Sequence, residues 1–211
     1  MFLLALSVVV TVCGLYPYLK LTAKGIVRPR LVTWGVWFTL AVVMSVSAFL
    51  EGHIASAVLS LQGVAGCMLV FILGWRSGSR DVSQLDIACL MGALAGIAAL
   101  VVLKNPSVAL LIAVLVDAIA FVPTLHHAWK KPFEEGLACY ISNFSASALV
   151  FTSAMISAAG FMGVVYPIYS ITFNLAMAMI IVFGRTSINQ TLDYSAVNLT
   201  SNEAVAIETE A

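Results

Sequence analysis

SVALLIAVLVDAIAFVPTLHHA, residues 107–128, sets one carboxylate, Asp117, in the middle of an otherwise apolar run. An ionisable group at mid-bilayer costs about 2.5 to 3.5 kcal/mol on insertion scales, so it faces a partner or a wet cavity. Six residues on, Pro123 has no N–H to give the carbonyl of Ile119, which predicts a bend and a free backbone acceptor. Thr124 follows Asp117 by seven residues, two helical turns along the same face. A polar stripe is therefore expected from mid-membrane toward the bend.

The rest of the chain fits a bilayer as well. Its 211 residues are 62% hydrophobic and 9% charged, with a mean hydropathy of +1.05, values foreign to a soluble domain of this size. Apolar runs fall at roughly 2–21, 31–50, 54–75, 85–103, 107–127, 137–158 and 161–184, each near the ~20 residues that a spanning helix needs. The fold class expected is an all-α integral membrane protein of seven transmembrane helices. These leave no stretch for a soluble catalytic or nucleic-acid-binding domain, and an enzyme is not expected. The longest hydrophilic piece, residues 186–211, holds Glu203, Glu208 and Glu210 without a basic residue and is expected to be a disordered cytoplasmic tail. The start, MFLLALSVVVTVCGLYPYLK, lacks the basic flank of a signal peptide and is read as the first span. Cys13, Cys67, Cys89 and Cys139 fall one each in helices 1, 3, 4 and 6 and are expected as small packing residues with free thiols.

Basic residues set the orientation. Lys20, Lys24, Arg28 and Arg30 follow helix 1, Arg76 and Arg80 follow helix 3, Lys130 and Lys131 follow helix 5, and Arg185 follows helix 7. Nine of the ten Lys and Arg thus share one side, with Lys104 opposite. The positive-inside rule then puts the N-terminus outside and the C-terminus in the cytoplasm, with the plasma (cell inner) membrane as the expected location.

Polar and aromatic side chains concentrate in certain helices. Helix 1 carries Thr11 and a proline bend at Pro17. Trp34 and Trp37 share a face of helix 2, either as an interfacial belt or as a cavity wall. In helix 3, Gln62 with Gly63 and Gly66 reads first as close helix packing. Most serines and threonines of helices 6 and 7 can return their hydroxyl bonds to their own helix, whereas Tyr140, Asn143 and Asn174 stand out as candidates for solute contact. His126, His127, Glu134 and Glu135 match no familiar ligand spacing, so neither metal nor cofactor is implied.

Sliding the chain against itself by 106 residues aligns helices 1 and 2 with helices 5 and 6. Pro17 meets Pro123, Leu19 meets Leu125, Lys24 meets Lys130, Leu31 meets Leu137, Phe38 meets Phe144, Ser47 meets Ser153 and Ala48 meets Ala154 as identities, and Trp34 meets Tyr140 as an aromatic match. Crossing four helices preserves orientation, so two parallel three-helix repeats joined by helix 4 are expected. The boundaries expected are 1–83 for the first repeat, 84–105 for the linker helix, 106–185 for the second repeat and 186–211 for the tail. On these features the chain resembles the PQ-loop and SWEET (MtN3-like) superfamily over roughly residues 1–185. The proline of that superfamily's proline-glutamine dipeptide stands twice, in Pro17-Tyr18 and Pro123-Thr124. Asn174 resembles the asparagine of the SWEET seventh helix, and Asp117 resembles the acidic residue in the fifth helix of proton-coupled amino-acid carriers.

The resemblance implies a carrier for a small polar solute, such as a sugar or an amino acid, that works by alternating access between the repeats. Proton coupling would fall to Asp117. The substrate-contacting residues expected are Asp117, Asn143, Asn174, Trp37, Tyr140, Thr11 and Thr124, with Pro17 and Pro123 as hinges. Expected partners are membrane lipids and the solute, with no nucleic acid, and a homo-oligomer is compatible with the sequence. A seven-helix receptor or sorting protein without transport activity is the alternative.

Overall fold

The structure is a computed structural model that describes residues 1–26, 29–80, 82–133 and 135–188, with nothing stated for the side chains of Pro123 and His127. The chain runs through α1 (Phe2–Ala23), α2 (Leu31–Leu50), α3 (Ile54–Gly74), α4 (Gln84–Val101), α5 (Pro106–Lys130), α6 (Leu137–Ile156) and α7 (Gly160–Thr209). All seven are long and apolar enough to cross a membrane, the part of α7 that qualifies being Gly160–Ile188. They lie on the seven expected apolar runs. The tail expected from residue 186 falls, beyond residue 188, outside the described residues.

Large apolar side chains cover the outside of the bundle. Val8, Val9 and Val12 of α1 and Ile87, Met91 and Leu94 of α4 are exposed, a surface suited to hydrocarbon rather than water. Contacts between helices rely on small residues and hydroxyls, as expected where lipid supplies no hydrophobic drive to associate. Gly14 shows the need most sharply. A Cβ there would overlap Ser142 Oγ, so only glycine lets α1 approach α6 at this point.

α1 packs on α6 and α3, and α5 packs on α2 and α7. α2 lies against α3, α6 lies against α7, and α4 rests on α5 and α2. The buried positions recur along the chain. α1 buries Leu4, Ser7, Gly14 and Thr22, and 106 positions later Leu110, Ala113, Ala120 and Ala128 are buried on α5. α6 buries Ser142, Ala146, Ser147, Val150 and Ala154, each 106 positions after a buried residue of α2, namely Val36, Leu40, Ala41, Met44 and Ala48.

The turn after α2 and the turn after α6 also share their bonds. Glu51, Gly52 and His53 donate their N–H groups to the carbonyls of Ser47, Phe49 and Ala48, and Ser157, Ala158 and Ala159 donate to Ser153, Met155 and Ala154. Gly52 takes φ +76° where Ala158 takes φ +51°, a left-handed conformation that suits glycine and strains alanine. Gly160, at φ +66°, then adds one residue. Beyond it the match continues one position later. Ser56, Ser60, Cys67, Val70 and Gly74 of α3 are buried, as are Gly163, Pro167, Asn174, Met177 and Ile181 of α7, 107 positions on.

The loops after α1, α3 and α5 gather at one end, which carries most of the basic residues. Leu31 N–H donates to Ser79 O and Ser79 N–H donates to Pro29 O, tying the first two loops together. Arg185 of α7 donates from Nε to Pro132 O at 3.0 Å and from Nη2 to Glu135 O at 2.8 Å, which fixes the third. α4 starts on a capping box in which Ser83 Oγ accepts from Asp86 N–H and the Asp86 carboxylate accepts from Ser83 N–H. The same carboxylate takes Arg30 Nη2 at 2.8 Å and Thr33 Oγ1 at 3.2 Å, so the helix cap also anchors α2 to α4. At the opposite end, Ser107 Oγ donates to Glu51 Oε1 at 2.7 Å and joins two turns.

Candidate functional site

A cavity of about 1080 Å³ runs into the bundle from the basic end. Its mouth is formed by Ile26, Pro29 and Arg30 of the first loop and by Lys130, Phe133, Glu135 and Gly136 around the third. Its floor, near the middle of the helices, is formed by Met44, Leu59, Gln62 and Tyr166. Below that floor Leu4, Ala55, Leu59, Val150 and Ala154 pack into one apolar cluster. One end is open and the other is shut.

All seven residues expected to contact solute line this cavity: Thr11, Trp37, Asp117, Thr124, Tyr140, Asn143 and Asn174. The two halves of the chain supply opposite walls. Asp117 Oδ2 accepts a hydrogen bond from Tyr169 Oη at 2.8 Å. Among the described residues Oδ1 has no partner and no basic side chain pairs with Asp117. Across the cavity, Thr11 Oγ1 donates to Gln62 Oε1 at 2.6 Å, Gln62 Nε2 donates to Ser7 Oγ at 3.0 Å, and Ser7 Oγ donates to Leu4 O at 2.7 Å. Gln62, read first as a packing residue, thus bridges two helices and lines the cavity as well.

The two asparagines are placed differently. Asn174 is buried, and its Nδ2 donates to the Ser170 carbonyl at 2.8 Å and to Ser170 Oγ at 3.2 Å, with Ser170 Oγ in turn 2.7 Å from Ser147 Oγ. That network joins α6 to α7. Asn143 Nδ2 points at Cys139 Sγ at 3.8 Å, a weak acceptor. Tyr140 Oη lies 3.1 Å from Glu135 Oε2 at the mouth, donating to it. Trp37 Nε1 is a buried donor without an acceptor among the described residues.

Aromatic rings form a continuous file down the cavity. Tyr18 and Trp34 centroids are 5.6 Å apart, Trp34 and Trp37 5.3 Å, Trp37 and Phe121 6.1 Å, and Phe121 and Phe173 5.4 Å. Phe173 then meets Tyr169 at 4.7 Å, and Tyr169 meets Tyr166 at 6.2 Å. Of the two readings of the helix 2 tryptophans, the cavity wall is therefore the one their contacts favour for both. Residue 169 lies on a different helix from Asp117, 52 positions away, and no local spacing in the sequence points to it.

The hinge positions lie inside α1 and α5, Pro17 within the described helix and Pro123 with its side chain outside the described residues. His126 lines the cavity, whereas Glu134 and the His127 side chain lie outside what is described. Among the described residues no group of three or more His, Cys, Asp or Glu is gathered, and the four cysteines are unbridged. The fold and cavity define an all-helical bundle of seven candidate membrane spans with a polar and aromatic chamber open at one end. Comparison with models of protein families, with curated proteins and with solved structures returned no match.

Proposed function

We propose that the chain is an alternating-access carrier for a small polar solute such as a sugar or an amino acid, in which Asp117 couples transport to protons. The observation that carries it is a pair of polar contacts in equivalent places on either wall of a chamber open at one end. Thr11 of α1 bonds Gln62 of α3, and Asp117 of α5 bonds Tyr169 of α7. Residue 117 follows residue 11 by 106, and residue 169 follows residue 62 by 107, the same offsets that relate the buried positions.

Those offsets support two parallel units, 1–83 and 106–185, with α4 within the linker 84–105. The pairing of helices supports it too, since α1 meets α6 as α5 meets α2, and α1 meets α3 as α5 meets α7. Two parallel units around an axis along the membrane normal, with a solute site between them, are a known transporter plan, and the resemblance to PQ-loop and SWEET proteins points the same way. With the basic loops in the cytoplasm, the chamber faces inward and the apolar cluster around Leu4 and Leu59 seals the outside.

Rocking of one unit on the other about the expected hinges at Pro17 and Pro123 would open that seal and close the mouth. Asp117 takes a proton on one side and yields it on the other as its surroundings change. Asp117 Oδ1, without a partner among the described residues, is the group a solute would complete, and Trp37 Nε1, a buried donor in the chamber wall, also lacks an acceptor among them.

Uptake into proteoliposomes across a panel of sugars, amino acids and organic amines, with and without a pH gradient, tests this. Wild-type protein should accumulate at least one solute under the gradient, and Asp117→Asn should fold but not accumulate it. Gradient-driven uptake by Asp117→Asn at the wild-type level would overturn the role of Asp117, and no uptake of any solute by folded wild-type protein would overturn the carrier.

A further inference from the structure

We infer that the chamber takes a monovalent organic cation, an ammonium group on an apolar or aromatic body, and discriminates against solutes that bring a carboxylate. The inference rests on the carrier reading for its place in transport and narrows its solute away from the sugars and amino acids that the family resemblance suggests; the recognition chemistry is local to the site.

Charge is the first argument. Asp117 lies deep in the chamber with one oxygen on Tyr169 and the other without a partner among the described residues. A carboxylate in such a place draws a counter-ion, and none is supplied among the described residues. Of the basic residues that line the chamber, Arg30 is committed to Asp86. His126 and Lys130 lie nine and thirteen residues along α5 from Asp117, roughly 13 and 20 Å up the helix at 1.5 Å per residue, toward the mouth. Nothing at the depth of Asp117 would neutralise a solute carboxylate, and Asp117 would repel it.

The second argument is the lining. Ring faces carry negative charge density, and a cation within about 6 Å of a ring centroid is attracted by an amount that grows as water is removed. The Asp117 carboxylate sits at the Tyr169 end of the ring file, where Tyr166, Tyr169 and Phe173 follow one another at 6.2 and 4.7 Å. An ammonium resting on Asp117 would share its wall of the chamber with the rings of Tyr166, Tyr169 and Phe173, while its apolar body would continue along Phe121 and Trp37 toward the mouth. Hydroxyls that a sugar would need are largely spent inside the protein, Thr11 on Gln62 and Ser147 with Ser170. The proton and the ammonium are then rivals for one carboxylate, so inward movement of one accompanies outward movement of the other; the one bond made and broken is the carboxyl O–H, whose proton comes from and returns to water.

Isothermal titration calorimetry on the purified full chain in detergent, at a single pH, decides the matter. The probes are benzyltrimethylammonium, 2-phenylethylammonium, its neutral counterpart 2-phenylethanol, and phenylalanine, which is the same ammonium with a carboxylate added. Both cations should bind about tenfold tighter or more than 2-phenylethanol and phenylalanine. Asp117→Asn should lose that preference, while Tyr169→Phe, which keeps the ring and removes the hydroxyl, should keep most of it. Equal binding of the alcohol, or tighter binding of phenylalanine than of 2-phenylethylammonium, overturns the inference, and because that comparison uses wild-type protein it stands even if Asp117→Asn fails to fold. Cation binding without uptake in proteoliposomes would support the site and sink the carrier, whereas uptake of neutral solutes with no cation preference would sink the site alone.

Discussion

Two polar pairs face each other across the chamber, and they differ in what they can do. Thr11 with Gln62 is neutral, and it is satisfied onward through Ser7 to the Leu4 carbonyl. Asp117 with Tyr169 holds a carboxylate and leaves one of its oxygens open. Both pairs join a first helix to a third helix, and both sit on buried stripes that recur at the same spacing. The framework is alike on the two sides, and the chemistry is not. On the proposed reading, one wall holds its shape and the other exchanges an ion.

The largest expected effect separates those roles. Asp117→Asn should reduce gradient-driven uptake to the background of protein-free vesicles, whereas Thr11→Val should leave it within about twofold, since only a neutral hydrogen bond is lost. Equal losses from the two variants would make the walls alike and remove the distinction.

A smaller effect is expected where the walls meet. Gly14 on α1 opposes Ser142; their counterparts, Ala120 at 106 positions after Gly14 and Val36 at 106 positions before Ser142, belong to one packed cluster. Gly14→Val should cost about 1 to 3 kcal/mol or more through overpacking, against about 0.5 to 1 kcal/mol for Ala120→Gly in a helix interior. Thermal unfolding in detergent, followed by size-exclusion recovery, ranks them.

Next come the partners of the two pairs. Tyr169→Phe should destabilise by about 1 kcal/mol, the usual worth of one hydrogen bond, and Gln62→Leu, which removes two, by about 2 kcal/mol. Only Tyr169→Phe should alter solute exchange, and initial rates at saturating solute measure that difference. The smallest effect lies in the turns. Ala158→Gly should stabilise by several tenths of a kcal/mol by relieving its φ of +51°, while Gly52→Ala should destabilise by about 1 kcal/mol. Similar shifts in melting temperature for both, in the same direction, would mean that the turns are not equivalent.

Much of this was legible in the sequence for a physical reason. A bilayer forces apolar runs of fixed length, so the seven spans and the isolation of Asp117 are written in the composition itself. The 106-residue offset was visible because α1, α2, α5 and α6 keep it without a gap. Tyr169 and the role of Gln62 were not legible, because Gly160 adds one residue before α7 and shifts the register to 107. An ungapped comparison sets Gln62 against Ile168, an exposed apolar residue, and the pairing disappears. Asp86 was hidden in another way. Its bonds to Arg30 and Thr33 close over more than fifty residues, so its local sequence shows only a helix cap.

Reciprocal movement of the two ends is the central claim, and distances between spin labels test it most directly. One pair of labels at Lys24 and Lys131 reports the basic end, and a second pair at Gly52 and Ser157 reports the opposite end. Measured by pulsed electron resonance in lipid, with and without a transported solute across a range of pH, the first distance should shorten in the same conditions that lengthen the second. Two distances that stay fixed, or that rise and fall together, would contradict a carrier whose halves rock about a shared chamber.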